Sequence, residues 1–195
     1  MNVLFEEDGA FRAGTILTDN GTSLQVELAS GKRAKVKVGN VLLRFDDTPV
    51  GDLLSLAEQA SAELDVGFLW EACPDAEFGF EEFAREYAGH SPGSVESTSI
   101  LLCLHAAPMY FHRKGRGRFR KAPPEILQAA LAGQEKKRQQ ALAVAQMAEA
   151  LEAGQLPVEL ASMLGQLLYK PDRNRPETKA LEIAQSVFTE TEETT

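Results

Sequence analysis

Five short runs rich in Val, Ile, Leu and Thr are crowded into the first 45 residues, at 3–7, 14–18, 23–28, 33–38 and 40–45. Turn residues cut the runs short: Asp19-Asn20-Gly21 and Ser30-Gly31 supply backbone that tolerates positive φ. In the fourth run Ala34, Val36 and Val38 alternate with Arg33, Lys35 and Lys37. A period of two places those cations on one face and the small apolar side chains on the other. Strands so few and so short cannot build a sandwich. They predict a small, strongly bent barrel of the SH3-like kind.

The stretch 46–51, Asp-Asp-Thr-Pro-Val-Gly, ends this pattern, and from there the chain is mainly helical. Leu53, Leu54, Leu56 and Ala57 begin a helix that ends near Leu64, and further helical segments follow at 66–71, 80–87 and 92–106. Ser91 is the expected N-cap of the last, with Pro92 at the first helical position, where its missing N–H costs nothing. Residues 108–121 then read as two aromatic-bearing strands around a glycine-rich turn, a β-hairpin. Three short helices followed by a hairpin is the winged form of the helix-turn-helix.

After Pro123-Pro124 the expectation is helix throughout. Residues 125–131 are apolar on one side, whereas 134–140 are polar all round, which predicts either a solvent-crossing turn of helix or a break near Gly133. Val144, Met147, Ala148 and Leu151 restore helical spacing. Pro157 opens a helix with Leu160, Leu164, Leu167 and Leu168 on one face, and Pro176 opens another with Leu181, Ala184 and Phe188 inward. The tail 189–195, Thr and Glu only, is expected to fray. The expected architecture is therefore α+β: a barrel over 1–46, a linker helix over 47–64, a winged helix over 65–123 and a helical region over 124–195.

The net charge of −9 argues against a general nucleic-acid binder, but the average conceals one concentration of the opposite sign. Residues 110–121 hold Arg113, Lys114, Arg116, Arg118, Arg120 and Lys121 without one acid, interleaved with Tyr110, Phe111 and Phe119. Alternation sends Arg118 and Arg120 to one face and Phe119 to the other. Gly115 and Gly117 would let the turn approach a phosphate backbone with no Cβ in the way. These six cations and Tyr110 form the candidate nucleic-acid site, with Phe111 and Phe119 suited to pinning the hairpin to its core. Six neutralised phosphates on a single strand give a log–log salt slope of at most roughly −4. The alternative is a solvated hairpin that answers acidic surface elsewhere in the chain. Lys32, Arg33, Lys35 and Lys37 form a secondary basic face, for which simple solubility is the alternative. The polar positions of 92–106 are Ser94, Glu96, Ser97, Thr98 and Ser99, with no Arg, Lys, Asn or Gln for a base edge, so backbone binding without sequence readout is the better reading.

Catalysis has no motif to rest on. His90, His105 and His112 lack metal-ligand spacing and a nucleophilic partner, and His105 reads as a packed or capping residue. Asp46, Asp47 and Asp52 read as a solvated turn rather than a metal site, and Gly115-x-Gly117 lacks the strand–loop–helix context of a nucleotide site. Neither a catalytic residue, a metal ligand nor a cofactor is assigned. Cys73 and Cys103, without CxxC spacing, read as buried thiols of a reducing cytoplasm. The acidic start at Glu6-Glu7-Asp8 is unlike a signal peptide, and no 18 apolar residues run together, so no membrane partner is expected.

The segment 106–119, Ala-Ala-Pro-Met-Tyr-Phe-His-Arg-Lys-Gly-Arg-Gly-Arg-Phe, resembles the winged-helix hairpin in the N-terminal part of bacterial ribonuclease II-type (RNB family) exoribonucleases. So does Leu168-Tyr169-Lys170-Pro171-Asp172-Arg173-Asn174 with the helix after it, and the opening with its Phe-x-Ala-Gly-Thr segment is similar to the start of proteobacterial members. The resemblance covers nearly the whole chain. It implies an RNA-handling role, with single-stranded RNA and the family's catalytic domain, in the same polypeptide, as partners. In that family hydrolysis from the 3′ end depends on clustered aspartates that bind magnesium in a large domain. No such cluster occurs here, so the resemblance carries over no catalytic residue, and magnesium is expected only in that absent domain. Two readings from other classes stay open. A winged-helix DNA-binding regulator would need a base-reading helix, and a protein-interaction module would leave the hairpin merely structural.

Overall fold

The structure, a computed structural model, describes the backbone of residues 1–169 and 172–192 and the side chains of 1–162, 165 and 172–185. The expected inward positions Leu164, Leu167, Leu168 and Phe188 lie outside the described side chains. So does part of the segment 168–174, and residues 193–195 of the tail lie outside the description altogether. The chain divides into two units, Met1–Leu127 and Gln128–Thr195.

The period-two runs of the first unit become β1 (Asn2–Glu7), β2 (Ala10–Asp19), β3 (Ser23–Leu28), β4 (Arg33–Lys37) and β5 (Val41–Phe45). They pair antiparallel in the order β4-β3-β2-β1-β5. Alternation decides what each strand buries. Val3, Phe5, Leu24, Val26 and Val36 make a small cluster on one side, while Arg33, Lys35 and Lys37 stay exposed on the other. The sheet is not a closed barrel: β4 and β5 are its edges, joined by a 3-10 turn at Val38–Asn40 where the sequence pattern predicts more strand. Register shifts within the β2–β3 and β1–β5 pairs bend the strands without closing the ring.

The helices of the first unit are α1 (Leu53–Ala62), α2 (Val66–Ala72), α3 (Phe80–Ala88) and α4 (Ser94–Ala106), followed by a hairpin of β7 (Phe111–Gly115) and β8 (Arg118–Lys121). Between α2 and α3 a two-residue strand, β6 (Phe78–Gly79), adds to the hairpin in the order β6-β8-β7. Two residues are too few to show a period, which is why β6 is absent from the sequence reading. Leu4, Leu42 and Phe45 of the first sheet share one core with Leu53, Leu69, Phe83, Leu101, Leu104, Phe111 and Phe119. The expected boundaries at 46 and 64 are therefore changes of element type that do not interrupt this core. The stretch 47–64 contributes α1, whose Leu53 and Ala57 are fully buried.

The start of α4 differs from expectation. The helix begins at Ser94 behind Gly93, not at Pro92 behind Ser91. Two carboxylates satisfy its first amides instead. Glu96 accepts from the Gly93 N–H at 2.8 Å, and Asp47, from the loop after β5, accepts from the Ser94 N–H at 2.8 Å.

The long helix α5 (Pro124–Glu152) starts in the first unit and runs unbroken past Gly133, with residues 134–140 all exposed. It ends at Gly154, whose φ of 73° lets the Gly154 and Gln155 amides turn back to the carbonyls of Leu151 and Ala150. The second unit continues with α6 (Val158–Tyr169) and α7 (Pro176–Glu192), which buries Ala180 and Ala184. Among the described residues no helix is long and apolar enough to cross a membrane.

Candidate nucleic-acid interface

Alternation in the hairpin sorts its charges. Phe111 and Phe119 are buried in the shared core, and Arg113 lies opposite Phe119 on that inner face. His112, Arg118 and Arg120 take the outer face, with His112 opposite Arg120 in register, and Lys114 is the exposed extra residue where the register shifts between Arg113 and Gly115. Tyr110, just before β7, packs against the core cluster and is half-buried.

The inward cations are engaged within the chain. The Arg113 guanidinium donates through Nη2 to both carboxylate oxygens of Glu6, a buried residue of β1, and lies 3.4 Å through Nη1 from His105 Nε2. His105 itself packs edge-on against Phe11 with ring centroids 5.0 Å apart. Lys121 donates to the Cys73 carbonyl at 3.2 Å, pairs with Asp75 at 2.7 Å and lies 5.6 Å from the Trp70 ring centroid. The Trp70 indole N–H closes the base of the hairpin by donating to the Ala122 carbonyl at 2.9 Å. Lys121 holds the Asp75 carboxyl below its usual range, whereas burial pushes the Cys73 thiol up to about 11, against the opposing pull of Lys121. Cys73 and Cys103 are both free and buried.

The outer face is different. Arg118 donates through Nε to Glu77, an exposed pair of little energetic consequence. Lys114 and Arg120 are exposed and have no side-chain partner among the described residues. At the turn, Arg116 donates through Nη1 to the Gly39 carbonyl at 3.1 Å. Gly117 does not open toward a ligand as the sequence suggests. With φ at 64° it is buried, and a Cβ there would lie 2.8 Å from Phe80 Cδ1 and 3.3 Å from Leu42 Cδ2. Its missing side chain lets the turn pack on α3 and β5, and the Phe80 N–H donates to its carbonyl at 2.9 Å. Glu81 and Glu82 border the shallow groove that Arg116 and Arg118 share.

Of the secondary face, Lys32, Arg33, Lys35 and Lys37 are all exposed, without ion-pair partners among the described residues. Helix α4, the position from which a winged helix would read bases, is no reading surface. Eight of its 13 residues are buried, among them Ser97, Thr98 and Ser99, and it packs between α1 and α3. The turn aspartates have structural partners: Asp46 pairs with the N-terminal ammonium at 3.0 Å, and the Ser94 amide keeps the Asp47 carboxyl below its usual range. Among the described residues no group of three or more His, Cys, Asp or Glu is placed to hold a metal ion.

The partners of Arg113 and Arg116 were beyond sequence reasoning, since Glu6 and Gly39 lie 107 and 77 residues away. Comparison of the chain with protein-family models, with curated proteins and with solved structures finds no match.

Proposed function

We propose that the chain is an RNA-binding module that holds single-stranded RNA by its phosphate backbone on the outer face of the β7–β8 hairpin. The observation that carries this reading is the pair Lys114 and Arg120, solvent-facing and unpartnered among the described residues, beside Arg118, which makes an exposed ion pair with Glu77. Side chains of this kind set position and affinity without reading sequence. Burial of α4 favours backbone binding over a DNA regulator that reads base edges.

Within this proposal the first sheet is an open SH3-like barrel, a reading supported by the strand order β4-β3-β2-β1-β5 with a 3-10 turn between its last two strands. Residues 65–123 are a winged helix, supported by the succession α2-β6-α3-α4-β7-β8 with β6 beside β8. The resemblance to ribonuclease II-type exoribonucleases makes the module an N-terminal accessory region. Magnesium-dependent hydrolysis then belongs to a separate catalytic domain of the same polypeptide, and no residue of this chain is given a catalytic role. The free, buried cysteines fit a reducing cytoplasm.

The internal pairing of Arg113 and Lys121 favours the competing protein-interaction reading for those two of the six cations. Lys114→Glu with Arg120→Glu separates the two. Loss of at least about tenfold in affinity for a fluorescent oligouridylate at low salt supports RNA binding, whereas unchanged affinity assigns the hairpin a purely structural role.

A further inference from the structure

The two basic segments of the first unit are far apart in sequence, yet they meet in the fold. Arg116, at the tip of the hairpin, donates to the carbonyl of Gly39. Gly39 lies two residues beyond Lys37, so their Cα atoms are at most about 7.6 Å apart. Lys114 is likewise two residues from Arg116, under the same bound.

Register places the β4 cations on the favourable side of the sheet. Val36 is buried with Val3 and Phe5, so Lys35 and Lys37 lie on the opposite side, the one that carries Leu4 and Glu6. That is also the side to which the hairpin is tied, since Glu6 holds Arg113. Cross-strand neighbours decide which β4 cations are free to act. Arg33 lies opposite Glu27, whose charge offsets it, whereas Lys35 faces Gln25 and Lys37 faces Ser23, both uncharged. The acids bordering this region, Glu81 and Glu82, flank the groove on its α3 side.

We infer that Lys35, Lys37, Arg116, Lys114 and Arg120 form one phosphate-binding track, continuous across the Arg116–Gly39 contact, that takes a single-stranded RNA long enough to engage both segments. The inference rests on the hairpin reading proposed above and extends it from a local patch to a site with a minimum ligand length. One strand spanning both segments makes the second contact intramolecular, so affinity rises steeply once the ligand reaches across.

The test uses the full chain, with fluorescent oligouridylates of about 4 and about 16 nucleotides, a range that covers known single-strand site sizes. The track predicts that the wild type binds the longer oligomer much more tightly than the shorter, and that Lys35→Glu with Lys37→Glu removes most of that length advantage. Loss of two phosphate contacts makes the salt slope shallower by about 1.4 and weakens the longer oligomer by about tenfold at low salt. Lys35→Gln with Lys37→Gln gives the same direction at smaller amplitude and serves where charge reversal disturbs folding. If the β4 variants bind the longer oligomer with wild-type affinity and slope while Lys114→Glu with Arg120→Glu is impaired, the track is wrong and the hairpin reading stands. If neither pair changes binding, the hairpin reading fails and the track falls with it.

Discussion

Two arginines of one hairpin illustrate how differently the same residue type can be used. Arg113 faces inward onto a buried carboxylate, and Arg120, on the neighbouring strand, faces solvent with no partner among the described residues. Removing Arg113 strands the Glu6 carboxylate in the fold, and stranding a buried charge costs far more than losing an exposed one. Because Arg113 is itself about 41% exposed, the cost is below that of a fully buried pair. Arg113→Ala is expected to lower unfolding free energy by about 1 to 3 kcal/mol in urea titrations, whereas Arg120→Ala changes it by less than about 0.5 kcal/mol. Equal effects at the two positions would remove the distinction between structural and ligand-facing cations.

At the level of elements, the local patterns were legible and the long-range ones were not. Alternation in Arg33–Lys37 and Arg118–Lys121 places each cation on its observed face, because period two depends only on neighbouring residues. Ser91 and Pro92 look like a helix start, yet Gly93 takes the place because Asp47 and Glu96 supply the acceptors, and Asp47 is 47 residues from Ser94. The polar run 134–140 is compatible with a break or with a solvent-crossing helix, and the chain takes the second course, with all seven residues exposed on an unbroken α5. Gly117 is the sharpest case. With Gly115 in a basic turn it suggests room for a phosphate, yet its neighbours are Phe80 and Leu42. Gly117→Ala combines a strained positive φ with a clash against an aromatic ring. It should destabilise the protein by about 2 kcal/mol or more, read as a lower midpoint in thermal or urea unfolding. A neutral effect would mean that the turn is not seated on α3 and β5.

For the whole molecule, a net charge of −9 coexists with a hairpin that carries six cations and no acid. Internal pairing commits Arg113 and Lys121 to the fold, which leaves Lys114, Arg116, Arg118 and Arg120 as the cations available to a ligand. Under the proposed RNA-binding role, the acidic remainder of the chain would disfavour RNA elsewhere on the surface, so the same imbalance that lowers general affinity would direct the ligand to the basic segments. The central claim, backbone binding on that outer face, is tested most directly by the salt dependence of oligouridylate binding to the full chain. Four hairpin contacts predict a log–log slope of about −3, approaching −4 when the two lysines of β4 join, and a slope shallower by about 1.4 after Lys114→Ala with Arg120→Ala. A slope near zero, or one that the double substitution leaves unchanged, would contradict the claim.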